Sequence, residues 1–301
     1  MSIKKTILLL ILAPIKVTRV LIIYYSKILS LVTNKDIFSR VQDDFFNYSS
    51  SLISYVNYTN STGNEIFMKF HTPNSICKMR ASTFAIKEPE ILDWMDEYRG
   101  KVFWDIGANI GIYSIYYGML GNGKIYSFEP SFLNLKILGL NTYANNLHNK
   151  IKIIPFALSN SKGFNTFQLT SLAEGGALSS FGVSYGFDGN EIKKNLEYTT
   201  FGVSADELLE KNFIKEIPEI IKIDVDGIEH LILTGMQNIL KNKKCLSVFI
   251  EVNDSFDVQA REVKKILSKS GFELKKKCHA DLFEKSHNHS KTYNQIWVRK
   301  V

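Results

Sequence analysis

The chain has 301 residues, 45% of them hydrophobic, which is enough for one globular α/β core with an additional terminal element. Its net charge of +7 comes almost entirely from residues 1–40, which carry seven basic side chains and one acid. The other 261 residues carry 30 basic and 29 acidic side chains. This near balance argues against a broad nucleic-acid-binding surface. Three cysteines far apart in the chain, with no CxxC pair, argue against a disulfide framework and a zinc site and fit a reduced, cytoplasmic location: Cys77, Cys245 and Cys278.

Residues 1–34 predict a basic amphipathic helix. At about 100° per residue, Lys5, Lys16 and Lys27 fall on one face, while leucines and isoleucines occupy the rest. Pro14 and Lys16 interrupt the apolar run, so the segment falls short of the roughly 20 apolar residues of a spanning helix. We expect peripheral binding to an anionic membrane at its inner face; a packed terminal helix and a cleaved signal peptide are the alternatives.

The sequence from residue 35 to residue 100 is interpreted as a lead-in segment to the catalytic domain. It mixes short strand-like and helical stretches, with the turn signal NSTGN at residues 60–64 and a helix that ends at Gly100. Residues 101–301 alternate apolar runs with amphipathic segments, which predicts a doubly wound α/β domain with a parallel sheet. The expected strands lie near residues 102–106, 125–128, 151–155, 220–224 and 246–252.

Two further β-like runs, at residues 272–277 and 293–299, are expected to close the sheet as a hairpin. The polar loop between them contains His279, His287 and His289. Because no cysteine or carboxylate cluster accompanies these histidines, we interpret them as part of a solvated loop and not as a metal site.

The stretch from residue 160 to residue 200, called the insert below, departs from the alternation. It is rich in Ser, Gly, Asn and Phe and contains no clear helix. Long irregular insertions in compact domains are often functional lids, so we expect the insert to form an irregular cover over the acceptor site. A plain surface loop is the alternative.

A strand, a glycine turn and a helix between residues 102 and 114 predict a nucleoside site. The apolar run ends in Asp105, and Gly107 and Gly111 then bracket a turn in which backbone can approach a ligand closely. The acid in this DxGxxxG spacing disfavours a pyrophosphate and suits the ammonium of an amino acid. Glu129 ends the next strand, where such a sheet places an acid to accept hydrogen bonds from ribose hydroxyls. The pattern indicates S-adenosylmethionine; a nicotinamide-dependent sugar dehydrogenase or epimerase, disfavoured by the missing GxGxxG, is the alternative.

A second group of acids follows the later strands. Asp224 and Asp226 end one strand, His230 lies in the helix that follows, and Glu251 ends the next strand. Asp224, Asp226 or His230 could serve as general base toward a hydroxyl. Alternatively, Asp224 or Asp226 could hold Mg²⁺ together with Glu251 and Asn253. The residues leave both roles open, and Asp226 could instead cap the helix, with Glu229 complementing its N-terminus.

Several ordered motifs between residues 80 and 251 resemble the FkbM-type S-adenosylmethionine-dependent methyltransferases. They are KEPE at residues 87–90, FWDIGANIG at 103–111, FEPS at 128–131 with Asn134 following, FALSN at 156–160 and IKIDVDGIE at 221–229. The resemblance implies a class I methyltransferase fold, which is Rossmann-like, with a seven-stranded sheet whose last strand is antiparallel. It also implies O-methylation, often of sugar or polyketide hydroxyls.

The resemblance implies roles for particular residues. Adenine contact falls to residues 156–158 around Ala157, and the other cofactor roles fall to Asp105, Gly107, Asn109, Gly111 and Glu129. Related macrolide-sugar methyltransferases hold a metal with acids after the fourth and fifth strands, which is similar to Asp224, Asp226 and Glu251 here. Those enzymes have paired acids after the fifth strand, whereas Val252 follows Glu251 in this chain.

We therefore expect an S-adenosylmethionine-dependent O-methyltransferase that acts on a sugar hydroxyl of a surface glycan or its precursor, as in polysaccharide biosynthesis. Mg²⁺ is a candidate second cofactor. The expected partners are the glycan acceptor and an anionic membrane surface, without nucleic acid. A non-catalytic, membrane-attached scaffold with the same fold is the remaining alternative, and the acids present at all the expected strand ends argue against it.

Overall fold

The computed structural model describes residues 3–279 and 291–300, and the chain divides into two compact units at Leu52 and Ile53. The first unit contains two helices, α1 (Ile3–Thr33) and α2 (Ile37–Ser50). The hydroxyl of Ser30 accepts a hydrogen bond of 2.8 Å from the backbone N–H of Phe38, which fixes the turn between them. No helix in the part of the chain that the structure describes combines the length and apolarity needed to cross a bilayer.

The second unit begins with a hairpin and three short helices. These are β1 (Ile53–Thr59), β2 (Glu65–His71), α3 (Ser75–Ser82), α4 (Phe84–Lys87) and α5 (Pro89–Glu97). Asn74 caps α3 by accepting from the N–H of Cys77 at 2.9 Å, and Pro89 starts α5, where a missing N–H costs nothing. Met68, Phe70 and Trp94 are buried in a cluster that also contains core residues of the central sheet. The segment after residue 52 is therefore part of the same core.

The remaining elements follow from Phe103. They are β3 (Phe103–Ile106), α6 (Ile112–Leu120), β4 (Ile125–Phe128), α7 (Phe132–Ala144), β5 (Ile151–Ile154), β6 (Ala157–Leu158), β7 (Gly163–Leu169), β8 (Ser180–Phe181), β9 (Leu196–Val203), α8 (Ala205–Glu210), β10 (Ile220–Ile223), α9 (Glu229–Thr234), α10 (Gln237–Lys241), β11 (Ser247–Asn253), α11 (Asp257–Lys269), β12 (Phe272–Cys278) and β13 (Thr292–Arg299).

Seven of these strands form the central sheet, in the order β12-β13-β11-β10-β3-β4-β5. β3, β4, β5, β10 and β11 are parallel, whereas β13 is antiparallel to both of its neighbours. The predicted α/β fold with a seven-stranded sheet and an antiparallel last strand is therefore confirmed. The hairpin of β12 and β13 also forms as predicted, but most of its loop, with His287 and His289, lies outside the described residues.

The parallel strands are short and apolar because helices cover both faces of the sheet. Alternating side chains enter two separate core clusters: Trp104 and Ile221 belong to one, and Phe103 and Ile220 to the other. The carboxyl ends of β3, β4, β10 and β11 meet at one edge of the sheet. Glu129, Asp224 and Asp226 lie in the loops that follow β4 and β10, whereas Asp105 and Glu251 lie within β3 and β11, near the carboxyl ends of those strands.

The expectation of an irregular insert is wrong in part, because the insert contains most of a second sheet. That sheet has the order β6-β9-β7-β8, and β7 pairs with β9 from Gly163 opposite Gly202 to Leu169 opposite Leu196. Phe167 and Leu169 alternate inward and are buried, although Ser, Asn and Gly nearby suggest a loop. Only the portion around residues 170–195 is largely without regular structure.

Candidate active site

Three adjoining cavities form a groove at the carboxyl edge of the central sheet. The largest, about 300 Å³, is lined by Asp224, Asp226 and Glu251, by residues of α3, α4 and α6, and by Glu88, which precedes α5. A cavity of about 60 Å³ beside Glu129 shares Gly107 and Asp226 with it. A third, of about 30 Å³, lies at residues 156–158 and shares Gly107 with both.

The loop after β3 comes close to neighbouring backbone, which explains its glycines. Gly107 has a φ of +81°, and a Cβ there would lie 1.9 Å from the carbonyl oxygen of Asp224. Gly111, at a φ of +84°, precedes α6, and a Cβ would lie 2.5 Å from a methyl carbon of Leu138. Side chains at either position would therefore push the loop out of place. Asn109 takes the left-handed conformation between them, with a φ of 52°.

Glu129 follows β4 and is almost fully buried beside this loop. One of its carboxylate oxygens accepts from the N–H of Asn109 at 2.7 Å, and the other accepts from the N–H of Ser131 at 2.8 Å. Burial raises the pKa of Glu129 to about 7, although these N–H groups act in the opposite direction. Each oxygen keeps a lone pair for a further donor, which is the arrangement needed for two vicinal hydroxyls.

The predicted adenine region lines an apolar cavity next to Glu129. Phe156, Ala157 and Leu158 border it together with Phe128 and Val225. Ala157 and Leu158 form β6, which pairs with the end of β9 and so fixes their position. The structure thus brings Ala157 and Glu129 to adjacent parts of one groove.

Asp105 lies below the groove and not on its wall. Its side chain has no exposed surface, and the hydroxyl of Ser114 donates to its Oδ2 at 2.5 Å. Its Oδ1 lies 3.6 Å from the ammonium of Lys222. A direct contact with a cofactor ammonium does not fit this position, because the carboxylate is enclosed between β3, α6 and β10.

Lys222 is a functional candidate that the sequence analysis missed. It lies directly opposite Asp105 in the β3–β10 pairing, is 2% exposed, and its Nζ is 3.2 Å from Asp224 Oδ2. Burial opposes its charge, but the carboxylates of Asp224 and Asp105 outweigh burial and raise the pKa of Lys222. The available signal was a lysine within the apolar strand IIKI, since such a residue needs a charged partner.

Asp224, Asp226 and Glu251 lie together, with one carboxylate oxygen of each within 4.8 Å of the others. Burial and the neighbouring Asp224 raise the pKa of Asp226 to about 6 and the pKa of Glu251 well above its usual value. The pKa of Asp224 is lowered, because Lys222 and Lys87 outweigh its own burial. The cluster thus combines an ionised aspartate with two carboxyl groups that hold protons more readily.

Asp226 does not cap α9, contrary to one alternative. Its Oδ2 accepts from the N–H of Leu178 at 2.6 Å, and this contact ties the insert to the acid cluster. Glu229 accepts from the N–H groups of Val225 and Gly227 at 3.1 Å and so holds the turn after β10. Burial raises the pKa of Glu229 to about 7.

Two residues expected at the acid cluster lie elsewhere. His230 borders none of the three cavities; its ring packs edge-to-face against Phe256, and burial lowers its pKa. The side chain of Asn253 is occupied by loop contacts, donating to the carbonyl of Phe187 and accepting from the N–H of Ser255. Neither the base role for His230 nor the metal role for Asn253 fits these positions, because both side chains point into packed structure.

A short segment of the insert, residues 174–179, crosses the groove. Its Gly176 carbonyl accepts from the side-chain amide of Asn109 at 2.7 Å, and its Gly175 N–H donates to Asn134 Oδ1 at 2.9 Å. Arg80 Nε donates to the Gly175 carbonyl at 2.6 Å. The segment is therefore held by residues that also border the cavities.

The cavity that contains the acid cluster is also lined by charged residues to which the sequence analysis assigned no role. Glu88, just before α5, is 2% exposed and accepts from Lys87 Nζ at 3.1 Å and from the hydroxyl of Tyr113. Arg80 borders the same cavity. The KEPE motif, which contains Lys87 and Glu88, was the available signal.

Comparison with known proteins finds methyltransferases among the relatives of this chain. The sequence model described as Methyltransferase FkbM domain matches residues 105–274. A curated relative, the hexuronic acid methyltransferase AglP of Haloferax volcanii, is 26% identical over 169 residues, which are 56% of this chain and 62% of the relative. The chain thus spans less than two thirds of that relative's length.

Solved methyltransferase structures also match, at low identity. The methyltransferase FkbM of Methylobacillus flagellatus KT is 14% identical, with a TM-score of 0.44 over 66% of this chain and 43% of that one. The precorrin-6y C5,15-methyltransferase of Geobacter metallireducens GS-15 is 15% identical, with a TM-score of 0.42 over 77% of this chain and 93% of that one.

Proposed function

Because the chain belongs to the FkbM family of methyltransferases, we propose that it is an S-adenosylmethionine-dependent O-methyltransferase whose acceptor is a sugar hydroxyl of a surface glycan or its precursor. The observation that carries this proposal is the continuity of the groove. An apolar cavity, the paired acceptor oxygens of Glu129 and the acid cluster follow one another along the carboxyl edge of the sheet. This sequence of surfaces fits adenine, ribose and a reacting methyl group in that order.

The cofactor assignment follows from the chemistry of each part. Adenine would contact Ala157 and Leu158, and the ribose hydroxyls would donate to Glu129, each charged hydrogen bond contributing about 1.5 to 3 kcal/mol. Gly107 and Asn109 would border the ribose and the sulfur. Asp105 would act from below, by holding Lys222 and the loop in place. The nicotinamide alternative is dropped, because it does not fit membership of a methyltransferase family.

The sugar acceptor is supported by the curated relative, which is described as acting on a hexuronic acid. In this chain the acceptor would enter the cavity of about 300 Å³, where segment 174–179 of the insert borders the acid cluster through Leu178. Covering the reacting atoms would exclude water, which otherwise competes for the sulfonium methyl group.

In the proposed reaction the acceptor oxygen attacks the methyl carbon while the bond from that carbon to sulfur breaks. The hydroxyl proton passes to a carboxylate of the cluster. Asp226 suits this role, because a pKa of about 6 leaves it mostly deprotonated at neutral pH yet basic enough to take a proton. Asp224, kept ionised by Lys222, would stabilise the sulfonium. Alignment of oxygen, methyl and sulfur supplies the larger part of the rate enhancement.

The same cluster fits a divalent cation. Asp224, Asp226 and Glu251 offer three carboxylate oxygens within 4.8 Å. Burial and, after it, the charge of Asp224 raise the pKa values of Asp226 and Glu251, and a cation would relieve the repulsion from Asp224. Mg²⁺ held there would supply Lewis-acid activation of the acceptor hydroxyl. Asp224, Asp226 and Glu251 would then serve as ligands of the cation. A weaker base would be sufficient to remove the hydroxyl proton, because the cation makes the hydroxyl more acidic.

Peripheral membrane attachment through α1 is the second part of the proposal. Several apolar side chains on the described part of α1 are exposed, among them Leu21, Ile22 and Tyr25. Exposed apolar groups beside lysines are typical of helices that lie in the membrane interface. Such attachment would place the enzyme beside lipid-linked glycans.

The test is methyl transfer by the full chain from S-[methyl-³H]adenosylmethionine to UDP-glucuronic acid and, separately, to UDP-glucose. A base-stable tritiated methyl ether on either sugar is the expected product. A methyl group that mild alkali releases would indicate ester formation and contradict the hydroxyl assignment. A wild-type chain that binds S-adenosylmethionine but transfers the methyl group to neither sugar, with or without Mg²⁺, would support the scaffold alternative.

A further inference from the structure

Part of the lining of the large cavity comes from α3, α4 and the residue before α5, and the proposed function assigns no role to this wall. It lies outside the region matched to the family, residues 105–274, and it presents Arg80, Lys87 and Glu88 to the cavity. Charged side chains facing a cavity are costly unless a ligand or a partner compensates them. The question is which part of a ligand they would contact.

The order of the three cavities along the groove indicates which part of the ligand would contact Arg80, Lys87 and Glu88. The adenine cavity comes first, Glu129 marks the ribose, and the loop with Gly107 and Asn109 separates Glu129 from the large cavity. Beyond the ribose, S-adenosylmethionine consists of a sulfonium and an α-amino acid with one ammonium and one carboxylate. That end of the cofactor must therefore lie in the large cavity, near the first turn of α6.

Glu88 is built as a fixed acceptor. Lys87 Nζ holds one carboxylate oxygen at 3.1 Å, and the Tyr113 hydroxyl holds the other. Burial and the charge of Glu88 raise the pKa of Tyr113 well above its usual value, so its hydroxyl remains a donor. Both oxygens retain lone pairs, so an ammonium can bind without any rotation of the side chain.

Arg80 is a fixed donor on the same wall. Its Nε donates to the Gly175 carbonyl at 2.6 Å, which holds the guanidinium plane. Among the residues that the structure describes, no acid lies within ion-pair distance of Arg80. Its two terminal nitrogens therefore remain available for a carboxylate, which guanidinium binds in a bidentate manner.

The other carboxylates are less suited to the ammonium. Asp105 is fully buried and borders none of the three cavities, and Asp224 and Glu251 belong with Asp226 to the acid cluster, which the proposed function assigns to the reacting atoms. Asp226 binds the N–H of Leu178. The cavity lining as a whole carries more carboxylates than cations, which suits a ligand end whose sulfonium and ammonium outweigh its carboxylate.

We infer that Glu88 and Arg80 form a clamp for the α-amino acid end of S-adenosylmethionine, in which Glu88 accepts from the ammonium and Arg80 donates to the carboxylate. This inference rests on the proposed function, since it requires the same cofactor. The clamp fixes the orientation of the sulfonium, because the cofactor is then held at both of its ends. It also gives the KEPE motif a binding role.

The test compares three ligands by isothermal titration with the full chain. S-adenosylhomocysteine carries both charged groups, its decarboxylated analogue S-adenosyl-3-thiopropylamine carries only the ammonium, and 5′-methylthioadenosine carries neither. Glu88→Gln should weaken binding of the first two by about 10- to 100-fold and leave the third unchanged. Arg80→Gln should weaken binding of S-adenosylhomocysteine alone.

Glu90→Gln is the matched control. Glu90 is a buried acid two residues further along the chain, in the first turn of α5, but it accepts from Asn294 and borders none of the three cavities, so the affinities should not change. Equal losses for all three ligands in Glu88→Gln, or no loss for S-adenosylhomocysteine, would overturn the clamp and leave the proposed function standing. If the wild-type chain binds none of the three ligands, the proposed function fails and the clamp with it.

Discussion

Replacement of Lys222 by methionine perturbs the buried charges beneath the groove. In the wild type, the ammonium lies 3.2 Å from Asp224 and 3.6 Å from Asp105, and both Lys222 and Asp105 are essentially inaccessible to water. Methionine preserves most of the volume but leaves the carboxylate of Asp105 buried without its cation. Breaking a buried ion pair in this way typically costs about 3–5 kcal/mol of unfolding free energy. We expect a loss of that size at pH 7.

Urea unfolding followed by tryptophan fluorescence measures this loss, because Trp94, Trp104 and Trp297 are all buried in the second unit. The loss of unfolding free energy caused by Lys222→Met should become smaller as the pH is lowered. Burial already raises the pKa of Asp105, and removal of the lysine raises the pKa of Asp105 in the folded state further. Protonation of Asp105 at low pH then removes the uncompensated charge. Lys275→Met is the control, since that lysine forms an exposed pair with Glu97 and should change stability by about 0.5 kcal/mol or less. A Lys222→Met loss no larger than that of the control would show that Lys222 does not compensate the buried charge of Asp105.

Three further perturbations separate the parts of the proposal. Glu129→Gln should weaken both S-adenosylhomocysteine and 5′-methylthioadenosine by about 10- to 100-fold in titration, because both carry the ribose; retained affinity for either would contradict the ribose role. Asp226→Asn should leave cofactor binding unchanged and lower kcat by about 10²- to 10⁴-fold. The kcat of the wild type should rise with pH through about 6, because Asp226 loses its proton there. A wild-type kcat that does not change across that pH range would exclude Asp226 as the base. Deletion of residues 1–34 should abolish sedimentation with phosphatidylserine-containing liposomes without changing cofactor affinity, and unchanged sedimentation would exclude α1 as the membrane element.

The framework of the fold was predictable because its signals are local. Each expected strand near residues 102–106, 125–128, 151–155, 220–224 and 246–252 is a short, mostly apolar run, and the structure contains a strand at every one of these places. The glycines of the β3–α6 loop were equally informative, because close backbone approach admits no other residue at Gly107.

The features that the sequence did not reveal depend on packing between distant segments. The enclosure of Asp105 and its proximity to Lys222 follow from the pairing of β3 with β10, which are more than 100 residues apart. His230 faces away from the groove because of how α9 is rotated, and the order of residues does not specify that rotation. The sheet within the insert was hidden because the insert is rich in Ser, Asn and Gly, while the burial of Phe167 arises only when β7 pairs with β9.

The most direct test of the account is isothermal titration of the full chain with S-adenosylmethionine and, in parallel, with NAD. We predict one S-adenosylmethionine site per chain and no binding of NAD. Binding of NAD without binding of S-adenosylmethionine would contradict the assignment of the groove and, with it, the proposed methyl transfer.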